Sequence, residues 1–231
     1  MDSLIDIIKQ HQPFHKVVPF DEKKDKLLRF NLTASNTTLT DDVLNNTEHF
    51  TEYINVTLAK ANATYGIGGY AEHRTIYKRS ELFDGEEEPR RFHLGIDIWG
   101  AVGTPVYAPM DAVVHSFAFN DAFGDYGATL VLRHELEGKT FHTLYGHLSL
   151  ASIQDKKHDQ VISKGERIAS FGVPKENGYW PPHLHFQMII EKKTRKGDYR
   201  GVCRYSEREH YLNNCPDPDL ILDMMKYAKE Q

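Results

Sequence analysis

Between His93 and about residue 191 the chain is divided into short β-like runs by Gly, Pro and Asp: HLGIDIW, TPVYAPMDAVVHSFAF, ATLVLRHE, KTFHTLYGHL, KGERIASFG and HLHFQMII. Runs at this spacing predict a mainly β domain built on a compact antiparallel sheet. Upstream the pattern changes. Residues 2–11 and roughly 41–62 have the mixed apolar and polar spacing of helices, the second following a stretch, Thr38 to Asp42, rich in N-cap residues. A glycine-rich stretch from Tyr65 to Tyr70 and the charged, proline-containing EEEPRR at 86–91 place a boundary near residue 90. Downstream, Pro216 and Pro218 precede an expected final helix from Asp219 to Lys229, with Leu220, Ile221 and Met224 on its apolar side. The expected organisation is a helical N-terminal extension over 1–90, a β domain over 91–200 and a C-terminal tail over 201–231 that packs on it.

With 231 residues, 40% of them apolar, such a chain buries a substantial core. Its formal charge is −5, and it has no run of five Lys or Arg, so neither nucleic acid nor an anionic membrane is an expected partner. The N-terminus lacks a basic n-region, and its apolar stretch Leu4 to Ile8 is interrupted by Asp6. No run of 18 apolar residues follows. Two cysteines, Cys203 and Cys215, make no disulfide framework or zinc-knuckle spacing. Together these features predict a cytoplasmic protein with reduced thiols. The Asn-x-Thr triplets at Asn31, Asn36, Asn45, Asn55 and Asn62 then count as composition.

Two segments carry the chemistry. In HLGID, His93, Gly95 and Asp97 alternate with Leu94 and Ile96, so a strand here puts the polar residues on one face. HLHFQM repeats the arrangement, with His183, His185 and Gln187 alternating with Leu184, Phe186 and Met188. If the two strands are neighbours, three nitrogen and oxygen ligands of the type zinc prefers converge, and the fourth position is left to water. Thirteen histidines also make chance pairs common, so spacing alone leaves open a surface or core role for these imidazoles. Tyr145-Gly-His147-Leu-Ser149 offers one more imidazole after a strand, while His115, His134 and His142 have no partnering motif and are expected to be structural or exposed.

Taken in order, HLGID, GTPVYAP, YGHLS and HLHFQ resemble the lysostaphin-type zinc endopeptidases, also called peptidoglycan DD-metallopeptidases, over close to half the chain. The resemblance implies a compact antiparallel β domain holding Zn2+ in a groove, with His93, Asp97 and His185 as ligands and His147 and His183 as catalytic histidines. It implies cleavage of a peptide or other amide bond by metal-activated water. Two departures stand out. The loop Glu176-Asn-Gly-Tyr-Trp-Pro-Pro182 replaces the usual Gly/Ser/Thr-rich segment, and the last motif ends in Gln187. The sequence resembles a subgroup fused elsewhere to aminotransferases, which also has the Gly69-Tyr-Ala-Glu-His-Arg74 segment. Alternatives to a peptidase of peptidoglycan are therefore a zinc hydrolase of a small intracellular conjugate and a non-catalytic binding module. Tyr179 and Trp180 are expected to wall the groove, and Glu72 or Arg74 either to reach it or to form a structural ion pair.

Overall fold

The computed structural model describes residues 2–84, 87–194 and 196–230; Glu86, where the expected charged loop begins, lies outside them. The N-terminal part supplies α1 (Leu4–Gln10), β1 (Leu27–Phe30), α2 (Asp41–Asn45), α3 (Thr47–Ala61), β2 (Tyr65–Gly68) and, after a 3-10 turn over Ile76–Arg79, α4 (Glu81–Asp84). The middle carries β3 (Phe92–His93), β4 (Ile96–Trp99), β5 (Pro105–Tyr107), β6 (Ala112–Asn120), β7 (Gly127–Leu136), β8 (Lys139–Leu148), α5 (Ala151–Gln154), β9 (Val161–Ile162), β10 (Arg167–Ser170) and β11 (His183–Ile189). The end adds β12 (Val202–Cys203), α6 (Arg208–Asn214), α7 (Asp219–Leu222) and β13 (Ala228–Lys229).

Among the described residues, nine strands form one sheet in the order β13-β1-β2-β4-β11-β8-β7-β6-β9. From β2 to β9 every pairing is antiparallel, as the alternating sequence pattern predicts. The far edge differs, because β1 runs parallel to both β2 and β13. Two small antiparallel pairs, β5 with β10 and β3 with β12, complete the strands. The period-two pattern sorts side chains between two environments. Ile96, Ile98, Leu184, Phe186 and Met188 enter the main apolar core with Leu130, Leu132 and Tyr145. Asp97, His183, His185 and Gln187 take the opposite face and are buried there too.

Segments outside the β domain are woven into this sheet. The glycine-rich stretch at 65–70 is not a linker, since Tyr65–Gly68 forms strand β2. A side chain at Gly66 would meet the Phe30 ring at 1.9 Å, so glycine there lets an aromatic lie flat over the strand. The helix expected over 41–62 is two helices, because Asn46 is extended and its side chain accepts from the Glu48 and His49 amides, capping α3 anew. Phe50, Ile54 and Leu58 then form the buried stripe of α3. The expected helix from Asp219 to Lys229 stops at Leu222. Asp223 turns left-handed with φ 50°, and the Asp219 carboxylate accepts from the Met224 and Met225 amides. The remaining chain makes one 3-10 turn and then occupies the open edge of β1. Cys203 and Cys215 are buried free thiols. No helix among the described residues is long and apolar enough to cross a membrane.

Ile67 sits between β1 and β4, paired with Arg29 and Ile98, and is fully buried. Ile67→Ala should lower stability by roughly 2–5 kcal/mol. Because β2 belongs to the same sheet as β4 and β11, chemical denaturation followed by both fluorescence and circular dichroism should show a single transition at a lower midpoint. Separate transitions for the two signals would show that the N-terminal segment unfolds independently.

Candidate metal centre and catalytic cleft

Strand register assembles the site. Antiparallel pairing sets His185 of β11 directly opposite Asp97 of β4, and His183 opposite Trp99. Side chains directly opposite one another share a face, so the carboxylate and the imidazole meet. His93 reaches them by a different route from the one the alternation predicts. A continuous strand from 93 to 97 would hold the two residues about 13 Å apart at ~3.3 Å per residue. Instead the strand breaks at Leu94 and Gly95. His93 lies in β3, paired with Val202 of β12, and the bend brings its Nε2 to 3.3 Å from Asp97 Oδ1. A Cβ at Gly95 would fall 2.5 Å from His185 Cε1, so glycine is what leaves room for the ligand ring at the bend.

Hydrogen bonds fix which nitrogen of each ring carries the proton. His93 Nδ1 donates to the Gly69 carbonyl at 3.2 Å, leaving Nε2 with its lone pair. Gln187 Nε2 donates to the Arg200 carbonyl, so its Oε1 faces His185 and accepts the Nε2 proton at 2.9 Å. His185 Nδ1 is thereby left unprotonated. Three lone-pair atoms now converge: His93 Nε2 and His185 Nδ1 are 3.0 Å apart, Asp97 Oδ1 is 3.0 Å from His185 Nδ1, and it is 3.3 Å from His93 Nε2. No proton is available to bridge the two nitrogens. A cation bound at ~2.0–2.1 Å from each donor in tetrahedral geometry would separate them by about 3.3 Å. The donor set and its spacing therefore fit a metal ion, and His93, Asp97 and His185 are a buried group with the reach to hold one.

Charge is arranged around this triangle. Burial alone would raise the Asp97 carboxyl, but the Arg74 guanidinium beside it holds it well below the usual carboxylate range. Arg74 is fully buried and binds Asp97 Oδ2 at 2.5 Å and Glu72 at 2.7 Å. The Gly69-to-Arg74 segment thus supplies an ion pair that lands on the carboxylate of the site. Burial and the Arg74 charge lower His93 to about 4, which keeps the ring neutral.

His147 and His183 stand beside the triangle with their rings stacked, centroids 4.0 Å apart. Each donates Nδ1–H to a backbone carbonyl at 2.7 Å, His147 to Asn177 and His183 to Pro181, so each Nε2 holds a lone pair. Burial lowers both, His183 to about 4 and His147 well below its ordinary value, with His183 adding to the effect on His147. His147 occupies a left-handed backbone position, φ 63°, where the chain leaves β8. Both rings line a cavity of about 150 Å3 that also contains Asp97 and His185. Its lining also includes Phe50, Tyr77 and Phe83, Gly124 to Tyr126 and Trp180, and Asp198 to Val202.

Trp180 is buried in this wall and donates its indole N–H to the Gly124 carbonyl. Tyr179 does not share it. A φ of 66° turns Tyr179 to solvent, where its ring leans on Phe123. The other histidines stay away from the cleft: His134 stacks on Phe141 and bonds Thr143, and His115 meets His142 edge to face. Strand alternation puts Gln187 on the polar face with His183 and His185, but gives no sign of the Gly69 carbonyl that accepts from His93. Tyr126, whose hydroxyl comes within 3.4 Å of His185 Nε2, carries no sequence signal at all.

Known proteins share the central segment. The model of Peptidase family M23 matches residues 91–197. Over 141 residues the chain is 38% identical to a protein of Haemophilus influenzae named an uncharacterized metalloprotease, covering 60% of this chain and 27% of that one. Over 98 residues it is 35% identical to the peptidoglycan DD-endopeptidase ShyA of Vibrio cholerae, covering 42% of this chain and 20% of the relative. The chain thus spans about a quarter or less of the length of these relatives. Among solved structures, the catalytic domain of the antimicrobial peptidase lysostaphin from Staphylococcus simulans aligns with 70% of this chain and 96% of its own, at 20% identity and a TM-score of 0.43. The match to Peptidase family M23 thus takes in just under half of the chain, the half that holds His93, Asp97, His147, His183 and His185.

Proposed function

We propose that this chain is a zinc metallopeptidase that hydrolyses a peptide bond, with His93, Asp97 and His185 as metal ligands and His147 and His183 as the groups that move protons. The observation that carries this reading is the triangle of unprotonated donors, 3.0 to 3.3 Å on each side, with both imidazole protons committed elsewhere. Two neutral imidazoles and one carboxylate are a ligand set that suits Zn2+ and leaves a fourth position facing the cleft. Bound there, Zn2+ supplies Lewis-acid activation of water and polarisation of a carbonyl.

The chain's own residues do the rest. His147 and His183 both line the cavity and keep an Nε2 lone pair, so either can accept the proton released as water attacks and return it to the departing amine. Rings stacked at 4.0 Å do not both carry charge, because the second proton would be repelled by the first. The pair therefore handles one proton at a time, as amide hydrolysis requires. The relative named a peptidoglycan DD-endopeptidase makes peptidoglycan the first substrate to try.

Ligands and proton carriers should fail differently. Asp97→Ala removes the charged donor and should yield protein without zinc or activity. His147→Ala leaves all three donors and should keep close to one zinc per chain while turnover on a peptide substrate falls by roughly 10² to 10⁴. Metal analysis showing an empty His147→Ala protein beside a loaded Asp97→Ala protein would refute the assignment. Gly95→Ala pushes against the His185 ring and should weaken zinc binding by roughly 10- to 100-fold, as loss of a ligand's supporting contacts does. Chelator competition giving the wild-type affinity would show that the ring is not confined there.

A further inference from the structure

Arg74 has no counterpart among the ligands or the proton-transfer histidines, yet it is wholly buried and every nitrogen of its guanidinium is engaged. Nε donates to Glu72 at 2.7 Å, Nη1 to Asp97 Oδ2 at 2.5 Å and to the Tyr77 hydroxyl at 3.3 Å, and Nη2 to the Gly69 carbonyl at 3.3 Å. That same Gly69 carbonyl accepts the His93 Nδ1 proton. One planar cation thus touches a ligand carboxylate directly and shares an acceptor with a ligand imidazole. The indole of Trp99 lies against it, 5.8 Å from ring centre to guanidinium carbon, and closes the remaining side.

The two oxygens of Asp97 are in different hands. Oδ2 is taken by Arg74, whereas Oδ1 faces His93 Nε2 and His185 Nδ1. A carboxylate free to rotate can offer both oxygens to a cation, which raises the coordination number and uses the position that a catalytic site keeps open. We propose that Arg74 is a positioning residue that holds Asp97 to binding through Oδ1 alone and so preserves the open coordination position. A rigid fork anchored at three of its corners suits this role, since an ammonium makes a compact point contact that does not fix the plane of its partner. Charge supports it as well. Glu72, Asp97 and Arg74 together carry one net negative charge in a buried setting, and a divalent ion in the donor triangle reverses that balance.

This inference rests on the metal-ligand assignment above, and Co2+ separates the two. Wild-type protein titrated with Co2+ should bind one equivalent and develop the strong visible bands of four-coordinate cobalt. Arg74→Gln should lose band intensity as Asp97 swings to bidentate binding, and its Co2+ affinity, measured against a chromophoric chelator, should fall roughly 10- to 100-fold. Arg74→Lys, which keeps the charge and one hydrogen bond, should lie between the two in both measurements and serves if the glutamine variant does not fold. Either folded variant with the wild-type spectrum and affinity overturns the positioning role while leaving the metal centre intact. A wild-type protein that takes up no Co2+ overturns both.

Discussion

An ionised carboxylate buried in a β-sheet is the constraint around which this molecule is organised. Removing Asp97 from water costs several kcal/mol unless its charge is met at close range. It is met on Oδ2 by Arg74, while Oδ1 faces the two imidazole lone pairs, where a cation would complete the pairing. Arg74 comes from a segment upstream of residues 91–197, so the cost of burying the Asp97 charge is offset by a residue outside the stretch that matches the family model. This explains why β2 runs beside β4 and why the chain after it folds over the site: without that segment the carboxylate would be buried and half unpaired.

From this follows the division of labour among the histidines. Each ring is held at one nitrogen by a group that can only accept: Gly69 for His93, Gln187 Oε1 for His185, Asn177 for His147 and Pro181 for His183. The opposite nitrogen is then free, and burial keeps His93, His147 and His183 neutral so that it stays free. A neutral amide at position 187 suits this scheme. It fixes the His185 tautomer without adding a second negative charge beside the buried Asp97. Its other end is tied to the Arg200 carbonyl and the Cys215 thiol, which links the ligand strand to the C-terminal segment.

Much of this was legible in the chain because strand periodicity is a local property. The alternations at 93–97 and 183–188 sort polar from apolar faces before any partner is known, and the partner register then places His185 opposite Asp97. What periodicity does not reveal is where a strand breaks. His93 and Asp97 share a site because the chain bends at Gly95, an effect of packing against the His185 ring that arises only once β11 is in place. Tyr179 was misplaced for a similar reason, since its neighbours in sequence are in the wall but one left-handed backbone angle sends it outward. The last strand was read as helix because β13 exists only through its pairing with β1, some two hundred residues earlier in the chain. Tyr126 meets His185 through a single hydroxyl, and sequence spacing carries no record of it.

The cavity itself separates chemistry from access. His93, Asp97, His185, His147 and His183 all lie within residues 91–197, yet much of the wall does not: Phe50 and Tyr77 stand upstream, and Asp198 to Val202 downstream. Tyr77 serves both purposes. Its ring lies 6.3 Å from that of His93 and its hydroxyl accepts from Arg74, so a residue that shapes the entrance also touches the network that holds Asp97. Changes in the flanking segments therefore reach the metal centre through a hydrogen bond as well as through the shape of the opening. The segments that add to the cavity wall upstream belong to a chain whose strand β2 is part of the same sheet as β4 and β11.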